Sequence, residues 1–337
     1  MPKILFILKR REGCGEDYAG NLSTGLLNSS TFVHDMLVRA RVQSKLVVVT
    51  DNNDIDREVH QYRPTHVTIE ALWVVPEKFE ILGKLHPNVR WIVRLHSNLP
   101  FLANEGIAMD WISRYVEQDS VYVAVNSPSL LADLKALQWP EDARKIIYLP
   151  NYYPDIYTRF VGKKKRERVI DIGCFGAIRP LKNHLQQAVS AIRFADSVQA
   201  RLRFHINAGR VEQKGESVVR NLDALFFNAG HELIKHDWLE HDDFLDLISS
   251  MDLCMQVSFS ETFNIVAADS VRCGIPTIVS KEIPWARAGL ADSTDTDCII
   301  KALKWAWKFR AVNVYLNRAG LSAYVANAKR AWLSPLP

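Results

Sequence analysis

The stretch SFSETFNIVAADSVRCGIPTIVS, residues 258–280, decides more about this chain than any other part of it. An apolar run ends near Ser258, a helical pattern follows from about Phe263, and Cys273-Gly274 closes that helix with Pro276 just beyond. PTIVS (276–280) then reads as a further strand. Strand, helix, strand is the repeating unit of a parallel α/β sheet. Glu261 and Asp269 are eight residues apart, which on an unbroken helix is about 12 Å along the axis. Carboxylates so far apart cannot share one metal or one proton, but they fit the two ends of an elongated ligand. Between them a helix start offers free N–H groups and the positive end of its dipole, which favour phosphate. A ligand with hydroxyls at each end and phosphates in the middle has the form of a nucleotide-sugar.

The same unit recurs in both directions from this stretch. Upstream, VIDIGCFG (169–176), RLRFHINAG (201–209), a short run before Trp238 and DLCMQVS (252–258) read as strands. Helical patterns near 181–196, 215–229 and 241–250 separate them. Further upstream, NYYPDIYTRFVGKKKRER (151–168) is polar, basic and without period, as an interdomain connection would be. Before it lie KILFIL (3–8), KLVVVT (45–50), HVTIEAL (66–72), WIVRLH (91–96), VYVAVN (121–126) and KIIYLP (145–150). These runs are apolar on both faces and rich in β-branched residues, as strands of a buried parallel sheet are. Patterns such as STFVHDMLVRARV (30–42) supply the intervening helices. The expectation is an α/β chain of two Rossmann-like domains facing a central cleft. The last stretch, from about Cys298, is helical by pattern.

Composition agrees with that reading. The 337 residues are 48% hydrophobic and 24% charged, which excludes a disordered, collagenous or disulfide-stapled chain. No window approaches the run of about 18 apolar residues that a spanning helix needs. The N-terminus reads as a first strand and not as a signal peptide. Five cysteines without a Cys-x-x-Cys pair suit reduced thiols and a cytoplasmic location. Residues 1–150 carry 17 basic and 18 acidic side chains, a net of −1, so of the overall +4 residues 151–337 carry +5.

A second motif is GCFGAIRPLKNH (173–184), a strand, a glycine turn, then Arg179, Lys182 and Asn183 where a helix opens. Glycine lets the backbone approach a ligand closely, and the two cations suit a pyrophosphate. Taken with 258–280, this motif resembles the retaining GT-B glycosyltransferases of the family 4 (glycogen-synthase-like) group. Glu261, the Thr262–Asn264 turn, Asp269 and Cys273-Gly274-Ile275-Pro276 follow that family's nucleotide-sugar motif, except that Asp269 stands where Glu is usual. The resemblance implies that Glu261 meets the donor sugar and Asp269 the ribose. The amides of Thr262, Phe263, Asn264 and Ile265 would then face the diphosphate, with Arg179 and Lys182 gripping it. It also implies roles for Gly13 and Gly15 (with Gly20 and Gly25 as other candidates) and for Gly176 at the donor phosphates. Gly209 and Arg210 would face the phosphates or nucleoside, and Trp238 the nucleobase, or pack as an ordinary aromatic. His96 would either stand near the reacting sugar or be a satisfied loop residue, and Asn151 would be structural. The implied catalytic set is Glu261, Arg179, Lys182 and His96. Domains are expected at 1–155, for the acceptor, and 165–310, for the donor, with a C-terminal helix, about 315–337, crossing back to the first.

The resemblance implies no metal and no cofactor beyond the co-substrate, a UDP-sugar by preference. Asp54-Ile55-Asp56 and Asp295-Thr296-Asp297 have the spelling of a metal motif but read as solvated loops. The acceptor is less legible. Residues 301–337 hold seven Lys or Arg, no acid, and Trp305, Trp307 and Trp332. This tail reads as a packing helix, as a polyanion surface joined by Lys163, Lys164, Lys165, Arg166 and Arg168, or as a face for anionic membrane. Some phages encode GT-B enzymes that glycosylate hydroxymethylated bases. Double-stranded DNA carrying 5-hydroxymethylpyrimidine is therefore one candidate acceptor, in which case the location is the host cytoplasm. A saccharide or lipid-linked acceptor of cell-envelope synthesis is the other. Nucleotide-sugar epimerases and silent binding modules share the fold and stay open.

Overall fold

The computed structural model describes residues 2–10, 24–137, 143–154, 168–212 and 214–337. Gly13, Gly15, Gly20 and the linker residues Lys163 to Arg166 lie outside them. The chain divides into two compact units, Met1–Pro154 with Val325–Pro337, and Asp155–Tyr324.

The first unit runs β1 (Lys3–Lys9), α1 (Thr24–Arg39), β2 (Gln43–Val49), α2 (Asp54–Tyr62), β3 (His66–Glu70), α3 (Pro76–Leu85) and β4 (Arg90–Leu95). It continues with α4 (Leu99–Leu102), α5 (Ala108–Glu117), β5 (Val121–Val125), α6 (Pro128–Ala136) and β6 (Ile146–Tyr148). The strands form a parallel sheet in the order β2-β1-β3-β4-β5-β6. Ile4 to Leu8 are at most 1% exposed. Leu5 and Ile7 enter one core with Ile69, Val93 and Phe79, while Ile4 and Phe6 enter another with Val33, Leu37 and Trp332. Burial on both faces is why these strands read as continuous apolar runs.

The second unit runs β7 (Val169–Gly173), α7 (His184–Ser197), β8 (Arg201–Asn207), α8 (Gly215–Ala229), β9 (Glu232–His236) and α9 (His241–Ser249). Then come β10 (Leu253–Gln256), α10 (Ile265–Arg272), β11 (Thr277–Ser280), β12 (Leu290–Ala291) and α11 (Thr296–Lys308). Its parallel sheet has the order β12-β11-β10-β7-β8-β9. The connections therefore leave β7 in one direction and return to its other side at β10. Ligands of open α/β sheets bind at the carboxyl ends of strands at such a reversal.

A last helix, α12 (Arg310–Leu333), starts in the second unit, and its residues from Val325 count with the first. Buried Asn313 and Asn317 tie it to the second unit, bonding the Thr277 amide at 2.9 Å and those of Arg287 and Ala288 at 2.9 and 3.0 Å. At its other end the Trp332 indole donates to the Pro150 carbonyl at 2.8 Å and packs on Phe6.

One reading changes in detail. The Asp-x-Asp spellings are helix starts rather than solvated loops. Asp54 opens α2 and accepts from the Thr50 amide, and Asp295 caps α11 by accepting from the Asp297 and Cys298 amides. A short carboxylate at a helix start meets amides that lack intrahelical partners. The tail tryptophans are packing residues: Trp332 is 2% exposed, and Trp305 and Trp307 lie against the second unit's core. Lys301, Lys304 and Lys308 form the exposed face of α11. Gly25 lies within α1.

Candidate donor site in the second unit

The loops that follow β7 and β10 meet at the sheet's reversal. The Phe259 amide donates to the Leu181 carbonyl at 2.9 Å, which joins them. Gly176 has φ +110°, a conformation only glycine adopts readily, and a Cβ there would lie 4.0 Å from Val266 at the start of α10. Its amide donates to Asn207 Oδ1 at 2.9 Å. Pro180–Lys182 form a single 3₁₀ turn, and Asn183 sits at φ 58°, so α7 opens at His184 rather than at 181.

Lys182 Nζ donates to Glu261 Oε1, and the Asn264 side-chain amide donates to the same oxygen at 3.0 Å. Asn264 also donates to Gln256 Oε1 at 2.9 Å and accepts from the Ala267 amide at 2.8 Å. It thus caps α10 and holds Glu261 at once. Its φ of 60° is why α10 starts at Ile265, two residues later than the sequence suggests. Glu261 therefore lies in a turn, and only Asp269 of the two acids is on the helix. The Ile265 and Val266 amides donate to no group among the described residues. Thr262 is 7% exposed and Phe263 1%. The Phe263 carbonyl accepts from the Trp285 indole at 2.7 Å, and its ring packs on Tyr324. Phe263 thus anchors the loop from below.

The remaining predicted residues cluster at the ends of β8 and β9. Glu212 lies between two cations, accepting from Arg210 Nε at 2.7 Å and from Arg179 at 3.4 Å. The Arg210 guanidinium lies 5.0 Å from the Trp238 ring centre. A Cβ at Gly209 would come within 2.8 Å of the Trp238 amide, so these two loops pack as closely as glycine permits. Asp269 accepts from His241 Nε2 at 3.0 Å. Burial works against a charge on His241, but the Asp269 hydrogen bond and charge outweigh it and raise the imidazole above its usual range.

Sequence reasoning missed Glu212, His241 and His184. His184 is buried, and neither ring nitrogen has a hydrogen-bond partner among the described residues. Burial, then Lys182 and Arg179, push it down to about 3, so it adds no charge beside the two cations. Among the described residues no group of three or more His, Cys, Asp or Glu is placed to hold a metal ion. No described helix is long and apolar enough to cross a membrane.

His96 belongs to the first unit, where it is half of a buried polar network. Its Nε2 donates to Glu70 Oε2 at 2.6 Å, and Arg94 Nη1 donates to the same oxygen at 3.1 Å. Glu70 and Arg94 are wholly buried. Arg94 also donates to Asn151 Oδ1 at 2.7 Å and to the Leu149 and Pro150 carbonyls. Asn151 also accepts from the Ser29 hydroxyl at 2.8 Å. Burial opposes ionisation of Glu70, yet Arg94 and His96 hold its carboxyl below the usual range. Burial and Arg94 lower His96. A neutral imidazole donating through Nε2 carries its lone pair on Nδ1.

Comparison with solved structures fixes the class of architecture. A UDP-forming trehalose-phosphate synthase from Burkholderia vietnamiensis is similar over 98% of this chain and 96% of its own, with a TM-score of 0.70 and 11% identity. Anabaena HepE, solved with UDP and glucose, is similar over 98% of each chain, with a TM-score of 0.65 and 12% identity. A sucrose-phosphate synthase from Thermosynechococcus elongatus covers 96% of this chain and 94% of its own, with a TM-score of 0.66 and 14% identity. The fold is GT-B. No family model matches the sequence, and no curated protein matches it. At these identities the likeness is one of fold. Within the GT-B fold, the Lys182–Glu261 pair and the bare amides of α10 lie at the sheet reversal of the second unit, and the Glu70–His96 pair lies at the carboxyl ends of β3 and β4.

Proposed function

We propose that the protein transfers a sugar from a nucleotide-sugar, a UDP-sugar by preference, to an acceptor hydroxyl. The observation that carries this reading is the Lys182–Glu261–Asn264 cluster set against the Ile265 and Val266 amides. A cation beside Glu261, and two amides at the start of α10 without an acceptor among the described residues, favour negative charge, as does the helix dipole. A departing diphosphate gains negative charge as the sugar–oxygen bond breaks, so these groups hold the transition state more tightly than the ground state. Glu261, 9% exposed and held by two donors, is poised to exchange Lys182 for sugar hydroxyls. HepE and the trehalose-phosphate synthase, one solved with UDP and the other named UDP-forming, support the choice of nucleotide.

Retention of configuration follows from the family resemblance. The acceptor oxygen then bonds the sugar carbon from the face the diphosphate leaves, and the leaving oxygen takes the hydroxyl proton. With the tail tryptophans packed inside, the exposed lysines of α11 are what supports a polyanionic acceptor. A saccharide hydroxyl needs no such surface.

A donor screen tests the proposal. The full chain is incubated with UDP-glucose, UDP-galactose, UDP-N-acetylglucosamine and GDP-mannose, alone and with saccharide acceptors or hydroxymethylated duplex DNA. The expected result is acceptor-dependent UDP release. Conversion of a free nucleotide-sugar without acceptor would make the protein an epimerase, and binding without release would make it a silent module.

A further inference from the structure

We infer that the corner between α11 and α12, in the second unit, docks on an anionic membrane surface. Lys301, Lys304 and Lys308 recur at a spacing that puts them on one face of α11, opposite the buried Ile299, Leu303 and Ala306. Residues 298–337 contain no Asp or Glu. The acids of neighbouring segments are already engaged, Asp297 with Arg193 at 2.9 Å, Asp292 with Lys281 at 3.8 Å and Asp252 with Arg310 at 3.9 Å. Among the described residues none of the three lysines forms an ion pair, so their charge faces solvent uncompensated.

Beside these cations the chain exposes apolar groups. α11 ends at Lys308 and α12 opens at Arg310. Around that turn Phe309, Val312 and Tyr315 are 40%, 47% and 72% exposed, while Asn313 and Asn317 on the same helix are wholly buried. The polar side of α12 is therefore fastened to the second unit and an apolar side is left in solvent. The Phe309 ring lies 5.7 Å from the Trp305 ring, and Lys308 Nζ lies 5.2 Å from the Phe309 ring centre. Trp305 in turn lines, with Leu290, Ala302 and Leu316, a hollow of about 170 Å³. Cations and apolar side chains thus form one continuous surface. A duplex would meet the lysines through its phosphates, but aliphatic Val312 and Leu290 neither stack on bases nor bond phosphate. A bilayer interface takes both sets, the lysines at anionic headgroups and the apolar side chains at the acyl boundary.

Flotation of the full chain with lipid vesicles tests this, using phosphatidylcholine alone and phosphatidylcholine with about 30% phosphatidylglycerol. The wild type should bind the anionic vesicles about tenfold or more tighter than the neutral ones, and salt should weaken that binding. Lys301→Glu/Lys304→Glu/Lys308→Glu should lose about tenfold or more on anionic vesicles with an unchanged melting temperature. Phe309→Ser/Val312→Ser should keep the preference for anionic vesicles but be released from them by less salt. A folded wild type that ignores anionic vesicles, or a lysine variant that binds them as the wild type does, overturns the assignment. Tighter lysine-dependent binding of duplex DNA than of vesicles makes the corner a nucleic-acid surface and overturns it. A wild-type dimer that Phe309→Ser/Val312→Ser dissolves gives the corner to a second copy and overturns it too. None of these residues belongs to the Lys182–Glu261 cluster, so UDP binding should be equal in both variants, and the donor reading stands or falls separately.

Discussion

Lys182→Ala is expected to lower kcat for sugar transfer by about 10²-fold or more, with little change in thermal stability. The Lys182 side chain is 16% exposed and that of its partner Glu261 8%, so the pair is neither a surface salt bridge nor a fully desolvated one. Loss of Lys182 leaves Glu261 held by Asn264, so the turn keeps a donor and the fold survives. On the proposed function, what is lost is a charge beside the departing diphosphate. Removal of one such donor from a preorganised site typically costs about 10²–10³ in kcat. The loss should appear in kcat more than in KM, because the charge matters most in the transition state. Glu261→Gln in the Lys182→Ala background should cost much less than it does alone, since the two side chains act as one unit. Turnover of Lys182→Ala within threefold of wild type would remove Lys182 from the mechanism.

The largest expected effect on stability lies in the other unit. Glu70→Ala should destabilise it by about 3–5 kcal/mol, because it strands the Arg94 guanidinium in a wholly buried site. Arg94 would keep its bonds to Asn151, Leu149 and Pro150, none of which carries a compensating charge. The double variant Glu70→Leu/Arg94→Met should regain much of the loss, since removing both charges removes the desolvation cost as well. Urea denaturation followed by the Trp332 environment checks this. A Glu70→Ala midpoint equal to wild type would show that the ion pair is not buried as described.

The two predictions also show where sequence reading succeeds and stops. The α/β alternation was legible because parallel strands are apolar on both faces, and KILFIL, VYVAV and PTIVS admit little else. The cation loop and the acid turn were legible because their chemistry is local, a glycine, two cations and a capped helix within a few residues. Helix starts slipped by two or three residues at Asn183 and Asn264, since both adopt positive φ and so delay the helix they precede. Glu70 and Arg94 were hidden inside strands read as apolar. A charge within such a run is a signal, but its partner, 24 residues away, emerges only when β3 and β4 pair. His241 meets Asp269 across 28 residues and two elements, and no periodicity encodes that. The tryptophans of the tail carried no local mark to distinguish packing from stacking. Their place was set by where α11 and α12 settle.

The most direct measurement is a crystal structure of the protein soaked with UDP. The diphosphate is expected at the start of α10, within hydrogen-bond distance of the Ile265 and Val266 amides and of Lys182 Nζ, with the Lys182–Glu261 contact loosened. UDP bound elsewhere, or that crevice empty with the Lys182–Glu261 pair unchanged, would contradict it.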